Sequence, residues 1–110
     1  MTSIFPASIA SLPLADIPLK GVTAFLSQAD SHQILFMEFA EDVELSEHAH
    51  AAQTGFVLEG RIDLVIDGTA HSFLKGDRYH IPAGIRHSGR IHAGYADITF
   101  FAEPSRYAAK

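Results

Sequence analysis

The stretch Arg61-Ile62-Asp63-Leu64-Val65-Ile66-Asp67-Gly68-Thr69-Ala70-His71-Ser72-Phe73-Leu74-Lys75 decides the fold class. Its first part alternates polar and apolar side chains, the period of a half-buried strand. Asp67-Gly68 then supplies two residues able to take positive φ, which a type I′ two-residue hairpin requires. The same texture runs outward in both directions. Val22–Ala29, Gln33–Ala40, Val43–His50 and Thr54–Glu59 precede the hairpin, and Arg78–Ile81, His87–Ile91 and Tyr95–Ala102 follow it. Turn residues separate these runs: Asp30-Ser31, Glu41-Asp42, Gly60, Gly76-Asp77, Pro82-Ala83-Gly84 and His92-Ala93-Gly94. No window sustains helical periodicity. Many short strands with regular turns predict an all-β domain, either a closed barrel or a double-sheet sandwich.

A chain of 110 residues has room for one domain and buries enough surface to hold a core without disulfides. Cysteine is absent, which removes disulfides, thiolate nucleophiles and Cys-ligated zinc together. Eight Lys and Arg against 13 Asp and Glu give a net charge of -5. That balance offers no basic face to displace counterions from nucleic acid or to meet an anionic membrane. Residues 1–20 read as an arm preceding a barrel domain at residues 21–110. The arm has no Lys or Arg before its apolar part, and Pro6 and Pro13 interrupt it, so it does not read as a secretion signal. No segment has the apolar length to span a bilayer. The expectation is a soluble cytoplasmic protein whose arm, rich in Ile, Leu and proline, is extended rather than helical. Such an arm is suited to cover an open sheet edge or to cross to a neighbour, and a homodimer is expected.

Seven histidines in a small chain without cysteine direct attention to metal or acid–base chemistry. In Glu47-His48-Ala49-His50-Ala51-Ala52-Gln53, residues i and i+2 of a strand share a face, so His48 and His50 can share one cation. Gln53 follows across a short bend and can add an amide oxygen. In Gly76-Asp77-Arg78-Tyr79-His80-Ile81-Pro82-Ala83-Gly84-Ile85-Arg86-His87, two turns bracket a short strand, and His87 opens the strand that returns towards the histidine pair. Taken alone, two histidines at this spacing arise often by chance.

Together these stretches resemble the two signature motifs of the cupins, small jelly-roll β-barrels that bind a metal inside the barrel. His48, His50 and Gly60 match the first motif, with Gln53 where the family normally has Glu. Gly76, Pro82, Gly84 and His87 match the second without a gap. The resemblance covers about the last two-thirds of the chain. It departs at Gln53, at the two-residue gap between His50 and Gln53, and at the missing Asn after the last histidine. By position it implies a divalent metal held by His48, His50, Gln53 and His87. A neutral ligand set leaves the cation's charge undiminished, which favours an anionic ligand but weakens the grip on the metal. Imidazole-rich sites suit Fe, Ni, Cu or Zn. Gln53 has an alternative reading, as an amide that orients an imidazole or a bound water.

Strand parity turns one of Tyr79 and His80 inward, and either could be a catalytic proton donor. Arg61, Arg78, Arg86 and Arg90 could clamp a carboxylate, though solvated rim charges are the ordinary reading. Glu44 shares the parity of His48 and His50, which makes it a possible inward acid. His32, His71 and His92 read as solvated or structural. The leading functional reading is a metal-binding cupin that takes a small molecule at a mononuclear divalent centre, as a metal-dependent oxygenase, isomerase or lyase. The rivals are a non-catalytic small-molecule or metal sensor, and a metal-free barrel working through its surface.

Overall fold

The backbone at the central hairpin is the one its sequence asks for: φ is 48° at Asp67 and 79° at Gly68. This turn joins β5 (Arg61–Ile66) to β6 (Thr69–Leu74) in continuous register, from Arg61 opposite Leu74 to Ile66 opposite Thr69. The computed structural model describes residues 3–110. Seven more strands complete the architecture: β1 (Val22–Gln28), β2 (Gln33–Phe39), β3 (Val43–His48), β4 (Gln53–Glu59), β7 (Arg78–Ile81), β8 (His87–Ile91) and β9 (Ala96–Phe101). Each lies where alternation and turn chemistry predict it. The one boundary that moves by two residues is the end of β3, which leaves His50 outside the strand.

Five strands form one sheet in the order β1-β2-β9-β4-β7, and four form the other in the order β3-β8-β5-β6. Every pairing between these strands is antiparallel. Partners such as β2 and β9, or β3 and β8, are distant in sequence, which is the connectivity of a jelly roll. No strand pairing joins the two sheets among the described residues. The jelly roll is therefore a two-sheet sandwich rather than a hydrogen-bonded closed ring. The core lies between the sheets, with Leu26, Leu35 and Val57 from one and Ile62, Leu64 and Ile91 from the other. Burying each such aliphatic side chain contributes roughly 1.5–3 kcal/mol.

The arm departs from the extended form expected of it. After Pro6 it makes a single helical turn, α1 (Ala7–Ala10). The Pro6 carbonyl accepts from the amides of Ile9 and Ala10, both at 2.9 Å. Proline is compatible with this position because an amide there would find no partner within the helix. Beyond α1 the chain runs along the open edge of β1: Leu26 N donates to Pro13 O at 2.8 Å and Ala15 N to Ala24 O at 2.9 Å. Phe5 packs edge-on against Phe25 and Phe36, with ring centroids 6.1 and 5.6 Å away. The segment thus occupies hydrogen-bonding positions that a bare edge strand would present to other chains. Met1 and Thr2, which belong to the expected arm, lie outside the described residues. No helix among the described residues is long and apolar enough to cross a membrane.

Candidate metal centre

A β-bulge sets the site. β3 and β8 pair at Val43–Ile91, Glu44–Arg90 and Leu45–Gly89, and the next pair is His48–His87. β3 therefore advances three residues while β8 advances two. Without the extra residue, strict alternation would send Glu47 after Leu45 to the inner face. The bulge turns His48 there instead. It also breaks the parity between Glu44 and His48, so Glu44 is exposed and paired with Arg90. His50 lies just past the strand. Its carbonyl accepts from Gly84 N at 2.9 Å, which ties the first histidine stretch to the Pro82–Gly84 turn of the second.

The three imidazoles converge. Ring centroids are 5.1 Å apart for His48 and His50, 4.2 Å for His48 and His87, and 4.8 Å for His50 and His87. One ring nitrogen from each lies within 4.8 Å of the other two. The second nitrogen of every ring is already committed. His48 Nδ1 meets Ser46 O at 2.7 Å, His50 Nδ1 meets Ala51 O at 2.7 Å, and His87 Nδ1 meets Ile85 O at 3.0 Å. A carbonyl oxygen only accepts, so each Nδ1 carries a proton, and in the neutral imidazole Nε2 is then the nitrogen with the lone pair. Burial pushes the imidazoles of His50 and His87 below the ordinary histidine range, and the neighbouring histidines and Arg106 add to the shift. Three imidazoles whose Nδ1 protons are held by backbone carbonyls and whose rings converge form a donor set that fits a transition-metal ion.

The cluster opens on a cavity of about 310 Å³ between the sheets. Gln53 and Tyr79 line it. His80 does not: it is exposed on the outer face, its Nδ1 2.9 Å from the Thr54 hydroxyl. Parity on β7 thus turns Tyr79 inward and His80 away, so a proton-donor role for His80 at this cavity is corrected. The Gln53 amide donates from Nε2 to the Tyr79 hydroxyl at 3.3 Å, and that hydroxyl donates to Asp97 Oδ2 at 3.4 Å. Tyr95 donates to the same oxygen at 2.6 Å.

Asp97, only 2% exposed, was not visible as a site residue in the sequence. On β9 the polar residues Asp97 and Thr99 are buried, while Phe100 is exposed. That inverts the usual assignment of faces, and a cavity-lining role for β9 is the reason for it. Burial pushes the Asp97 carboxyl up to about 6, against the hydrogen bonds from Tyr95 and Tyr79 that pull it down. Burial also raises the Tyr79 hydroxyl far above its ordinary range, with the Asp97 charge adding to the effect.

Arg106 is the other residue that no motif announced. It lines the cavity near Phe101 and Tyr107, its guanidinium 4.6 Å from the centre of the Tyr107 ring. Its Nε is buried with no acceptor among the described residues. The arginines weighed from the sequence stand elsewhere: Arg61 pairs with Asp63, Arg86 with Glu47, Arg90 with Asp42 and Glu44, and Arg78 is exposed.

With this geometry in view, the family profile described as a cupin domain matches residues 35–99. The chain is a cupin. Among solved structures, an RmlC-like cupin from Shewanella frigidimarina NCIMB 400 superposes with a TM-score of 0.75 at 22% identity, covering 96% of this chain and 94% of that one. KdgF from Halomonas sp. gives 0.71 at 18% identity, over 84% and 88% of the two chains. Bacillus subtilis oxalate decarboxylase, a protein with Mn(II) centres, gives 0.71 at 17% identity, with 88% of this cupin covering 29% of that chain. At these identities the likeness is one of fold. No curated protein sequence matches the chain.

Proposed function

We propose that this cupin binds a small anionic molecule at a mononuclear divalent metal held by His48, His50, Gln53 and His87. The observation that carries the reading is the shared tautomer. All three Nδ1 protons are bonded to backbone carbonyls, and one ring nitrogen from each histidine lies within 4.8 Å of the other two on the wall of one cavity. When bound, the ion supplies Lewis acidity that is not reduced by a carboxylate ligand. Arg106 supplies a second positive group on the same wall, with a buried N–H seeking an acceptor. A carboxylate or similar oxyanion is the ligand class that satisfies both. The remaining lining is mainly apolar, including Met37, Phe39, Leu45 and Ile81, which suits a small organic body and excludes water from around it.

Fe, Ni, Cu and Zn fit the donor set, and the fold likeness to a Mn(II) protein adds manganese to the ions worth testing. The test is metal content and affinity of the purified protein beside His50→Ala. Stoichiometric binding that the substitution abolishes supports the reading. Equal tight binding by both proteins, or none by the unsubstituted protein, overturns it.

Turnover by an oxygenase-, isomerase- or lyase-type reaction would need a proton-transfer group at the ligand. Tyr79 is the sequence-derived residue that reaches the cavity, yet its proton is directed at Asp97 and held well above neutrality. With Tyr79 so held, the second reading is capture of the ligand without turnover. Screening the metal-loaded protein for oxygen uptake, isomerisation and β-elimination separates the two: binding with no product across the panel selects the sensor.

A further inference from the structure

We propose that Tyr79 and Asp97 are positioning residues that fix the amide of Gln53 with its oxygen turned towards the three histidines. The inference rests on the metal-site reading and explains how a neutral amide can serve in a place where a carboxylate would need no orientation. An amide has two unlike ends. Only the oxygen end binds a cation, and turning the group by half a revolution presents N–H groups that repel one.

The hydrogen-bond directions follow from Asp97. Its Oδ2 accepts the short bond from Tyr95, so it stands as an acceptor towards Tyr79 as well. The single Tyr79 proton is thereby directed to Asp97, and the hydroxyl has only a lone pair left for Gln53. A lone pair accepts from the NH₂ end of the amide, which is the observed contact at 3.3 Å. Oε1 is the end that remains for the cavity.

The placement of Tyr79 is itself built into the sheet. Gly55 on β4 pairs with Tyr79 on β7 and with Thr99 on β9, so the three residues lie in one row across the sheet. The Tyr79 ring lies directly over Gly55, where a Cβ would come within 2.2 Å of the ring carbon Cζ. Only glycine lets the ring cross β4 and carry its hydroxyl from β7 to an acid on β9. The orienting group is therefore installed by three strands together.

The test is a pair of double-mutant comparisons read as metal affinity, by competition of Zn(II) and Mn(II) with a chromophoric chelator. Tyr79→Phe removes the lone pair. Asp97→Asn keeps the shape but can donate to Tyr79, which releases the tyrosine proton to bond the amide oxygen and reverses the group. Each should weaken binding by about tenfold or more, the usual consequence of losing a residue that orients a ligand. In a Gln53→Glu background each should cost less than about twofold, because either carboxylate oxygen can face the ion. Near-ultraviolet circular dichroism checks that the variants keep their packing, and the nearly isosteric Asp97→Asn covers the case in which Tyr79→Phe does not. Equal losses in both backgrounds, or no loss with Gln53 present, overturn the inference while leaving the metal site standing. Absence of metal binding by the unsubstituted protein and by Gln53→Glu overturns the site and the inference together.

Discussion

Replacing Asp97 by Asn in the metal-free protein isolates the energetic consequence of an ionisable group inside the sandwich. The Asp97 carboxyl sits at about 6 in the folded protein against 3.8 ordinarily. At about 1.36 kcal/mol per pH unit, that gap corresponds to about 3 kcal/mol of stability. The sign follows from the protons. Between pH 4 and 6 the folded protein keeps a proton that the unfolded chain has released, so stability falls as pH rises through this window. Below the window both states are protonated and the term is fully retained. Asn has no such term. The stability of Asp97→Asn minus that of the unsubstituted protein should therefore climb by about 3 kcal/mol from pH 4 to above pH 6 and then level off. Exchanging the hydrogen bonds of a neutral acid for those of an amide shifts the whole difference curve without changing its slope. His50 and His87 contribute in the opposite sense, since their lowered values make stability fall as pH drops below the ordinary histidine range, but both proteins share them and the difference cancels them. Urea unfolding in a chelator at half-unit pH steps is the assay. A difference that stays flat from pH 4 to 7 would refute the argument that Asp97 resists ionisation in its buried site.

Metal occupancy should hold at pH 8 and be lost in acid, because a protonated imidazole cannot coordinate; equilibrium dialysis against a fixed free-metal concentration checks this, and unchanged affinity at pH 5 would contradict the assigned ligands. Gly55→Ala should destabilise the fold by roughly 1–3 kcal/mol, as the Tyr79 ring is forced off β4, and should weaken metal binding as well; thermal unfolding and chelator competition read the two effects. Leu35→Ala, at a fully buried position of the core, should cost about 2–5 kcal/mol in urea unfolding. A homodimer remains our proposal for the assembly, and a light-scattering mass of one chain at micromolar concentration would exclude it.

The strands were legible because turn residues bracket them to within a residue or two, most plainly at Asp67-Gly68, where two positive φ angles can be anticipated from two letters. The histidines were legible as a group because motif spacing survives local irregularity. What carries His48 into the cavity was not legible: a bulge inserts one residue between Leu45 and His48, and no residue type in that stretch demands it. The parity argument consequently named Glu44, which the same bulge leaves in solvent. Helix α1 escaped for a different reason. Prolines constrain their own φ and the residue before them, and the four residues after Pro6 are too few to show a helical period. Asp97 and Thr99 were hidden by convention, since a polar residue in an alternating strand is read as facing water. Here the polar side is interior because it lines a cavity rather than solid packing. Arg106, beyond the last strand, lies in a segment whose course only tertiary structure supplies.

Residues 14–16 and 108–110 are laced into a narrow ribbon: Lys110 N donates to Leu14 O at 2.7 Å, Asp16 N donates to Ala108 O at 2.8 Å, and Ala15 bridges Ala109. Immediately inside that ribbon hang Ile17, Pro18 and Leu19 on one side and Arg106 and Tyr107 on the other, all of them facing the chamber. Those few peripheral amides therefore hold two stretches of the chamber's wall that carry no imidazole. A purification tag, a fused partner or a protease acting on either segment would thus act on the chamber's wall.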